Sequence, residues 1–598
     1  MRPALDLHFA QWAWWLFSVV FSLIMWQALF VLSTRLRPLL QGALVYGAGL
    51  LAAVLAMSSM GFHQVFYCWP TAYALMHILR EPREALGYIR GGADPWHAVV
   101  MVAAAIFIIG WWRFGLRGMH SHYRRGYCLT LIALLSAGAV SFGMVHRHAS
   151  AMVPDAAVVK VALDLTLNSL IGGVRGRLMQ ARRPMPTEVY GSGPVPASAP
   201  NLVVVIGESV AARRTGLYGY SRPTTPRLVA LQESRTEDWV QFTRAVSNAS
   251  ATKVALPSML TGLFPSREPL EQHTFPLLWH YADAAAYQTA LISSQSYAWN
   301  NLEGFFIDAA LDHVFTLEHS GAEIVNSEGI DDRQMLEEAL RTIDRFAAQG
   351  PFVVVIQFNC THFPGYSPPE WKRWPETDQE GGARYDNAIA YMDHLLGGLF
   401  DHLAVRDLTA NTSVIFSADH GEDIEGVHQL HRTDSYYQTT IEIPFFIVVP
   451  ERHRQRLGLR FDQLRQNANS RVALSDLVPT ALDILGLSSD LRVGAWIQQL
   501  DGRPLTRPLK DDRLLVVVNT DEHVQWSRKG YAVIADNWKF INYSWRGSML
   551  YDLTSDALEQ RNLLDGSESI LSPEGKRHIA RVQALVAETR SLADIHTE

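Results

Sequence analysis

Leu202-Val-Val-Val-Ile-Gly-Glu-Ser209 sets five apolar residues directly before a glycine and a carboxylate. A run of this composition reads as a strand buried on both faces, the kind found inside a parallel sheet. Four further runs follow at residues 291–293, 352–358, 413–417 and 445–449, with helical segments between them. That alternation predicts an α/β domain with a largely parallel sheet, whose ligands collect beyond the carboxyl ends of the strands. Gly207, Glu208 and Ser209 fall at such an end, where glycine permits the tight turn that presents a carboxylate at the sheet rim.

The run at 413–417 leads into Ala418-Asp-His-Gly-Glu422, a carboxylate and an imidazole side by side at a second strand end. Asp419 and His420 are both zinc-ligand types, and Glu208 adds a third donor, leaving a coordination position open for a reacting group. An Asp-His pair also occurs in ordinary turns, so the pair alone does not decide between a metal site and a loop. Residues 247–262 lie between the two acidic motifs and form a small-residue loop, Ser-Asn-Ala-Ser-Ala-Thr-Lys, running into an apolar segment. Such a loop opens a helix, whose N-terminal amides can cradle a phosphate. Ser250 and Thr252 are its candidate hydroxyls. Either serves as a helix cap or, activated by a metal, as a nucleophile leaving a covalent phosphoenzyme. His362 follows the 352–358 run, and His431 follows the Asp-His motif. Either can orient a phosphoryl oxygen, protonate a leaving group or bind a second metal, although with 22 histidines in the chain any one is structural by default.

Upstream, the chain changes character. Residues 9–32 are almost continuously apolar and uncharged, long enough to cross a hydrocarbon core of roughly 30 Å. Runs at 38–62, 65–79, 96–112 and 127–145 follow, so a bundle of about five transmembrane helices is expected over 1–150, retained rather than cleaved as a leader. Arg113, Arg117, Arg124 and Arg125 cluster between the last two runs and place that loop inside by the positive-inside rule, which puts the C-terminal part outside. Residues 151–200 comprise an amphipathic stretch at 156–179 and a Gly, Ser and Pro linker at 191–200, and the catalytic domain is expected at 201–598. The 598 residues carry a net charge of -7 without a long basic run, which argues against nucleic acid as a partner. Three cysteines, Cys68, Cys128 and Cys360, define no disulfide framework. Near the C-terminus, apolar runs at 514–518 and 531–534 and a helical pattern at 575–591 predict a small antiparallel sheet closed by a helix.

The stretch Ile206-Gly-Glu-Ser209, the run Leu217-Tyr-Gly-Tyr-Ser-Arg-Pro-Thr-Thr-Pro-Arg-Leu228 and Asp419-His-Gly-Glu422 together resemble the bacterial phosphoethanolamine transferases of the sulfatase and alkaline phosphatase superfamily, closest to the type acting on lipopolysaccharide core. The resemblance implies a multi-pass enzyme of the bacterial inner membrane with a periplasmic catalytic domain. It implies that phosphoethanolamine is taken from phosphatidylethanolamine, held on a threonine, and passed to lipopolysaccharide or another envelope glycan or lipid. By position, it implies a Zn2+ site of Glu208, Thr252, Asp419 and His420, with Thr252 as nucleophile in preference to Ser250. It assigns His362 and His431 to substrate handling, and Lys253, Glu422 and Glu84 to substrate binding.

Departures bear on the branch. Lipid A transferases of this family carry several disulfides in the soluble domain, whereas Cys360 is the only cysteine here after the linker. A sulfatase needs Cys or Ser before Pro and Arg at the nucleophile, and Thr252-Lys-Val-Ala255 offers neither. Phosphoglycerol transfer, with the same anchored architecture and threonine chemistry, is the nearest alternative. A sulfatase-type hydrolase and an inactive partner platform stand further off, the latter because donors recur at successive strand ends.

Overall fold

The structure, a computed structural model, describes residues 9–33, a few positions between 37 and 47, residue 106, and 193–592 apart from 268, 299–300, 327–328, 377–381, 425–434, 511–512, 520–529, 544–546, 566–570 and 590–591. The chain divides into two compact units, Met1–Arg177 with Gln525–Arg528, and Leu178–Val524 with Lys529–Glu598. In the first, Phe9–Ser33 is one helix, described side chain by side chain only over residues 15–29. Among the described residues no helix is long and apolar enough to cross a membrane. Apart from those few positions and residue 106, the four later apolar runs lie outside the described residues, as does Glu84.

The second unit is built on a seven-stranded sheet. Its strands are β1 (Asn201–Gly207), β2 (Trp239–Phe242), β4 (Gln288–Ser293), β5 (His313–Phe315), β6 (Phe352–Phe358), β7 (Thr412–Ala418) and β8 (Phe445–Val448). They lie in the order β2-β8-β7-β1-β6-β4-β5. A separate parallel pair joins β3 (Arg244–Val246) to β9 (Arg471–Ala473). β1 is central and parallel to both β6 and β7, with every residue buried, as its unbroken apolar run requires. All five runs read from the sequence are strands of this sheet. The parallel expectation fails for β8, which is antiparallel to β7, and β2 is antiparallel to β8. The reason is the connection. Ser417 faces Phe445, so the chain turns back at the rim where β7 ends and enters β8 from that side instead of crossing over the sheet.

Helices cover the sheet through faces spaced by three and four residues. In Asp332–Ala347 the Asp331 side chain caps the N-terminus by accepting from Arg333 N. Met335, Leu336, Ala339, Ile343 and Phe346 are buried on its inner face. Each large apolar side chain there contributes about 1.5–3 kcal/mol of burial free energy. The stretch read as linker is laid against this unit: Val195 N donates to Ala285 O at 3.0 Å, and Ala199 is buried.

At the C-terminus β10 (Leu515–Val518), β11 (Gly530–Ala535), β12 (Trp538–Tyr543) and β13 (Gly547–Asp552) form the expected antiparallel sheet, closed by the helix Pro573–Glu588. Val516, Val518, Tyr531, Val533, Phe540 and Leu550 pack with Val582 and Val586 of that helix. Lys539 on β12 makes a fully buried ion pair with Glu559, Nζ to Oε1 2.7 Å. Burial lowers the Lys539 ammonium to about 8, against the raising effect of Glu559. Removing one member of such a pair leaves an uncompensated charge in a low dielectric. Glu559→Ala is therefore expected to destabilise the domain by about 3–5 kcal/mol, read as a lower urea midpoint at pH 7. The double replacement Lys539→Met with Glu559→Leu is expected to recover most of that loss.

Candidate functional site

Three strand ends meet at one rim point. β1 delivers Glu208 and Ser209, β7 delivers Asp419 and His420, and β6 delivers the turn that holds Thr361 and His362. Ser209 has a positive φ of 55°, a backbone turn that swings the chain off the strand. Its N–H donates to Asp419 Oδ1 at 2.8 Å, and its hydroxyl donates to Glu208 Oε1 at 2.8 Å, tying the two acidic motifs together. The Thr361 hydroxyl donates to the Glu208 carbonyl. Gly421 follows His420 where a Cβ would lie 2.9 Å from Thr439 O, and its N–H donates to Thr440 O at 2.8 Å. Only glycine lets the loop carrying the histidine lie this close to the next backbone segment.

Glu208, Asp419 and His420 are buried, and each offers a ligand atom within 4.8 Å of the others. His420 Nε2 is 3.7 Å from Glu208 Oε1 and 3.5 Å from Asp419 Oδ2. His420 Nδ1 is 2.7 Å from Gly421 O, an acceptor only, so that bond places the proton on Nδ1 and turns the Nε2 lone pair toward the carboxylates. Asp419 Oδ2 is buried with no hydrogen-bond partner among the described residues. Converging lone pairs of two carboxylates and an imidazole, with one oxygen orphaned, are electrostatically costly unless a cation sits among them. The donor set of two oxygen ligands and one nitrogen fits zinc, with a position open.

The fourth member arrives from the loop between the motifs. The helix Thr252–Thr261 is capped by Ala251, so neither Ser250 nor Thr252 serves as its N-cap. Thr252 Oγ1 donates to Glu208 Oε1 at 2.8 Å and lies 3.2 Å from His420 Nε2. Ser250 faces elsewhere: its hydroxyl accepts from Asn519 Nδ2 at 2.9 Å, and its N–H donates to Asn519 Oδ1 at 3.1 Å. Lys253 is buried in the first helical turn. His362 is buried, with Nδ1 3.0 Å from Phe363 O. It is not a member of the Glu208, Asp419, His420 cluster. Glu422 is half-buried two residues past His420, and His431 lies outside the described residues.

Burial pushes the Asp419 carboxyl up to about 6, against the hydrogen bonds from Ser209 and His420 that lower it. A proton therefore competes up to about that pH with any cation this carboxylate would hold. Metal affinity is accordingly expected to weaken progressively as pH falls below about 6, read as dissociation constants by equilibrium dialysis at pH 7.5, 6 and 5. A dissociation constant unchanged between pH 7.5 and pH 5 would exclude Asp419 from the ligand set.

Sequence reasoning missed three contacts. Gln357 Nε2 approaches Glu208 Oε2 at 3.5 Å, Thr361 binds the Glu208 carbonyl, and Asn519 holds Ser250. The first carried a signal, since Gln357 is the single polar residue of Phe352-Val-Val-Val-Ile-Gln-Phe358.

A profile of the sulfatase family matches residues 200–487. The Kdo(2)-lipid A phosphoethanolamine 7''-transferase of Escherichia coli K12 is 27% identical over 312 residues, 48% of this chain and 52% of that protein. Phosphoethanolamine transferase EptC of the same organism is 26% identical over 312 residues, covering 48% and 51%. The chain thus spans about half the length of the curated relatives it matches. The integral membrane lipooligosaccharide phosphoethanolamine transferase A of Neisseria meningitidis superposes with a TM-score of 0.51 at 16% identity, covering 77% of this chain and 87% of that one, which is a likeness of fold. The residues that match the sulfatase family, 200–487, carry β1, β6 and β7 and every described member of the rim cluster.

Proposed function

We propose that this chain is a zinc-dependent phosphoethanolamine transferase, taking the head group from phosphatidylethanolamine and passing it to lipopolysaccharide or another envelope glycan or lipid through a phosphothreonine at Thr252. The observation that carries the reading is the Thr252 hydroxyl, placed within 3.2 Å of both the Glu208 carboxylate and His420 Nε2 at the first turn of a helix. The names of the relatives support the head group, and the Kdo(2)-lipid A transferase supports an envelope acceptor.

Glu208, Asp419, His420 and Thr252 would hold the ion. When bound, zinc supplies positive charge that favours the threonine alkoxide and withdraws electron density from a phosphoryl oxygen. Glu208 accepts the hydroxyl proton along the hydrogen bond already in place. Thr252 Oγ1 then attacks phosphorus, and the bond to the diacylglycerol oxygen breaks. Intrahelical hydrogen bonding begins with Val254 N and Ala255 N to Ala251 O, so the N–H groups of Thr252 and Lys253 stand ahead of the ladder at the positive end of the helix. An acceptor hydroxyl attacks the phosphothreonine in the second step and Thr252 departs. His362 and His431 are assigned the proton transfers to and from the leaving groups, and Lys253, Glu422 and Glu84 the substrate contacts.

The same reading places residues 1–150 in the inner membrane, 151–200 as an amphipathic segment and linker, and 201–598 as the catalytic domain in the periplasm. It is supported by the uncharged apolar runs of the N-terminal part. The test is the intact mass of the detergent-purified zinc protein before and after phosphatidylethanolamine or phosphatidylglycerol, with peptide mapping of any adduct. A phosphoethanolamine increment on Thr252 is expected. A phosphoglycerol increment, or an adduct elsewhere, would overturn the donor or the nucleophile respectively.

A further inference from the structure

β3 and β9 each place an arginine beside the other. Arg244 Nη2 and Arg471 Nε both donate to the carbonyl of Asp536, at 2.7 and 2.8 Å, and Arg244 also reaches Asn537 Oδ1. Asp536 and Asn537 form the two-residue turn between β11 and β12, with Asp536 at φ 53°. The two guanidiniums line a cavity of about 170 Å³, together with Gln438, Glu442 and Asn537. One water needs roughly 10–15 Å³.

The charges around this cavity do not cancel. Glu442 is paired with Arg213 at 2.9 Å, Glu559 with Lys539 at 2.7 Å, and Asp536 faces Arg581 at 3.8 Å. Among the described residues neither Arg244 nor Arg471 has a carboxylate within ion-pairing distance, and Arg471 has no partner at either Nη atom. Burial and, after it, the neighbouring charge of Arg244 lower the Arg471 guanidinium to about 10, against Glu442, Glu559 and Asp536, which raise it. Two half-buried cations held side by side repel each other, and an anion between them removes that repulsion. Guanidinium forks match phosphate oxygens two at a time, and the Gln438 and Asn537 amides can add neutral donors.

We propose that this cavity is a binding site for a phosphate group, free or carried on a sugar, separate from the Thr252 centre. None of its lining residues is a member of the Glu208, Asp419, His420 cluster. It adjoins that centre through the chain: Val246 leads directly into the loop ending at Thr252, and the Gln438–Ile441 helix carries the carbonyl that accepts from Gly421. Whether the two arginines merely clamp the β11–β12 turn is decided by what they do to ligand binding, since a clamp alone alters stability and leaves phosphate affinity untouched.

The test uses the full chain in detergent, with chelator present to silence the metal centre, titrated calorimetrically with inorganic phosphate and with glucose 1-phosphate. Saturable binding is expected in the wild type and in Thr252→Ala, weakened at least about tenfold in both Arg244→Gln and Arg471→Gln. Equal affinity for the two ligands identifies free phosphate as the occupant, and tighter glucose 1-phosphate identifies phosphate on a glycan. Absence of chelator-resistant binding in the wild type, or binding retained in either arginine variant that remains folded, overturns the proposal.

Discussion

Thr252→Ala is expected to lower lipid-dependent transfer by at least about a thousandfold and to eliminate the covalent adduct, while the purified protein keeps its metal. The expectation follows from what each neighbour retains. Asp419 and His420 remain in place because their bonds run through Ser209 N, His420 N and Gly421 O, and Glu208, which loses the bond from Thr252, keeps the one from the Ser209 hydroxyl. Three ligands suffice to hold a catalytic metal with a position open. What disappears is the hydroxyl of the 247–252 loop that lies against both Glu208 and His420 Nε2; the Ser209 hydroxyl stays on Glu208, but from the turn after β1 and not from the opening of a helix. Ser250 is turned to Asn519 by a two-point contact, so it cannot substitute without breaking both bonds. Thr252→Ser is expected to restore the adduct, since the oxygen is preserved and only a methyl is lost. Undiminished turnover in Thr252→Ala would move the covalent chemistry to another residue, and an adduct mapped to Ser250 would require the loop to rearrange.

The parts of this centre that were legible in the sequence are those fixed by strand ends. Leu202-Val-Val-Val-Ile206 could only be an interior strand, so Glu208 had to emerge at the rim, and the run at 413–417 did the same for Asp419 and His420. The helix opening at Thr252 followed from the change from small polar to apolar residues. Other features were hidden because no local signal encodes them. β2 and β5 are short edge strands of four and three residues, below the length at which periodicity speaks. The reversal of β8 depends on where the chain re-enters the sheet, which composition does not record. Choosing Thr252 over Ser250 from the residues alone was equally out of reach, because Asn519, the residue that turns Ser250 away, lies 269 positions further along. The Arg244 and Arg471 pair has the same character: two ordinary arginines, made neighbours by the β3–β9 pairing.

Asp419→Asn is expected to weaken metal binding by more than about 100-fold, since changes to outer partners of metal ligands alone cost about 10–100-fold and an amide is a poorer ligand than a carboxylate. Its second consequence distinguishes a ligand from a merely structural acid. In the chelated wild type the Asp419 carboxyl is raised from 3.8 to about 6, chiefly by burial. The folded state therefore holds its proton more tightly than the unfolded state does. The penalty is absent below the unfolded value, grows as pH rises from about 4 to 6, and is fully present above about 6. Its size at pH 8 is on the order of 3 kcal/mol, about two pKa units at about 1.4 kcal/mol each. Asp419→Asn removes the charge and with it the penalty, so the chelated variant is expected to be more stable than the chelated wild type at pH 8 and about equal to it at pH 4. Zinc should invert that order at pH 8 by stabilising only the protein that binds it. Unfolding curves at the two pH values, with and without chelator, test both statements. A chelated variant less stable than wild type at pH 8 would mean that Asp419 serves the fold through its bonds to Ser209 and His420, and full metal content in the variant would remove it from the site altogether.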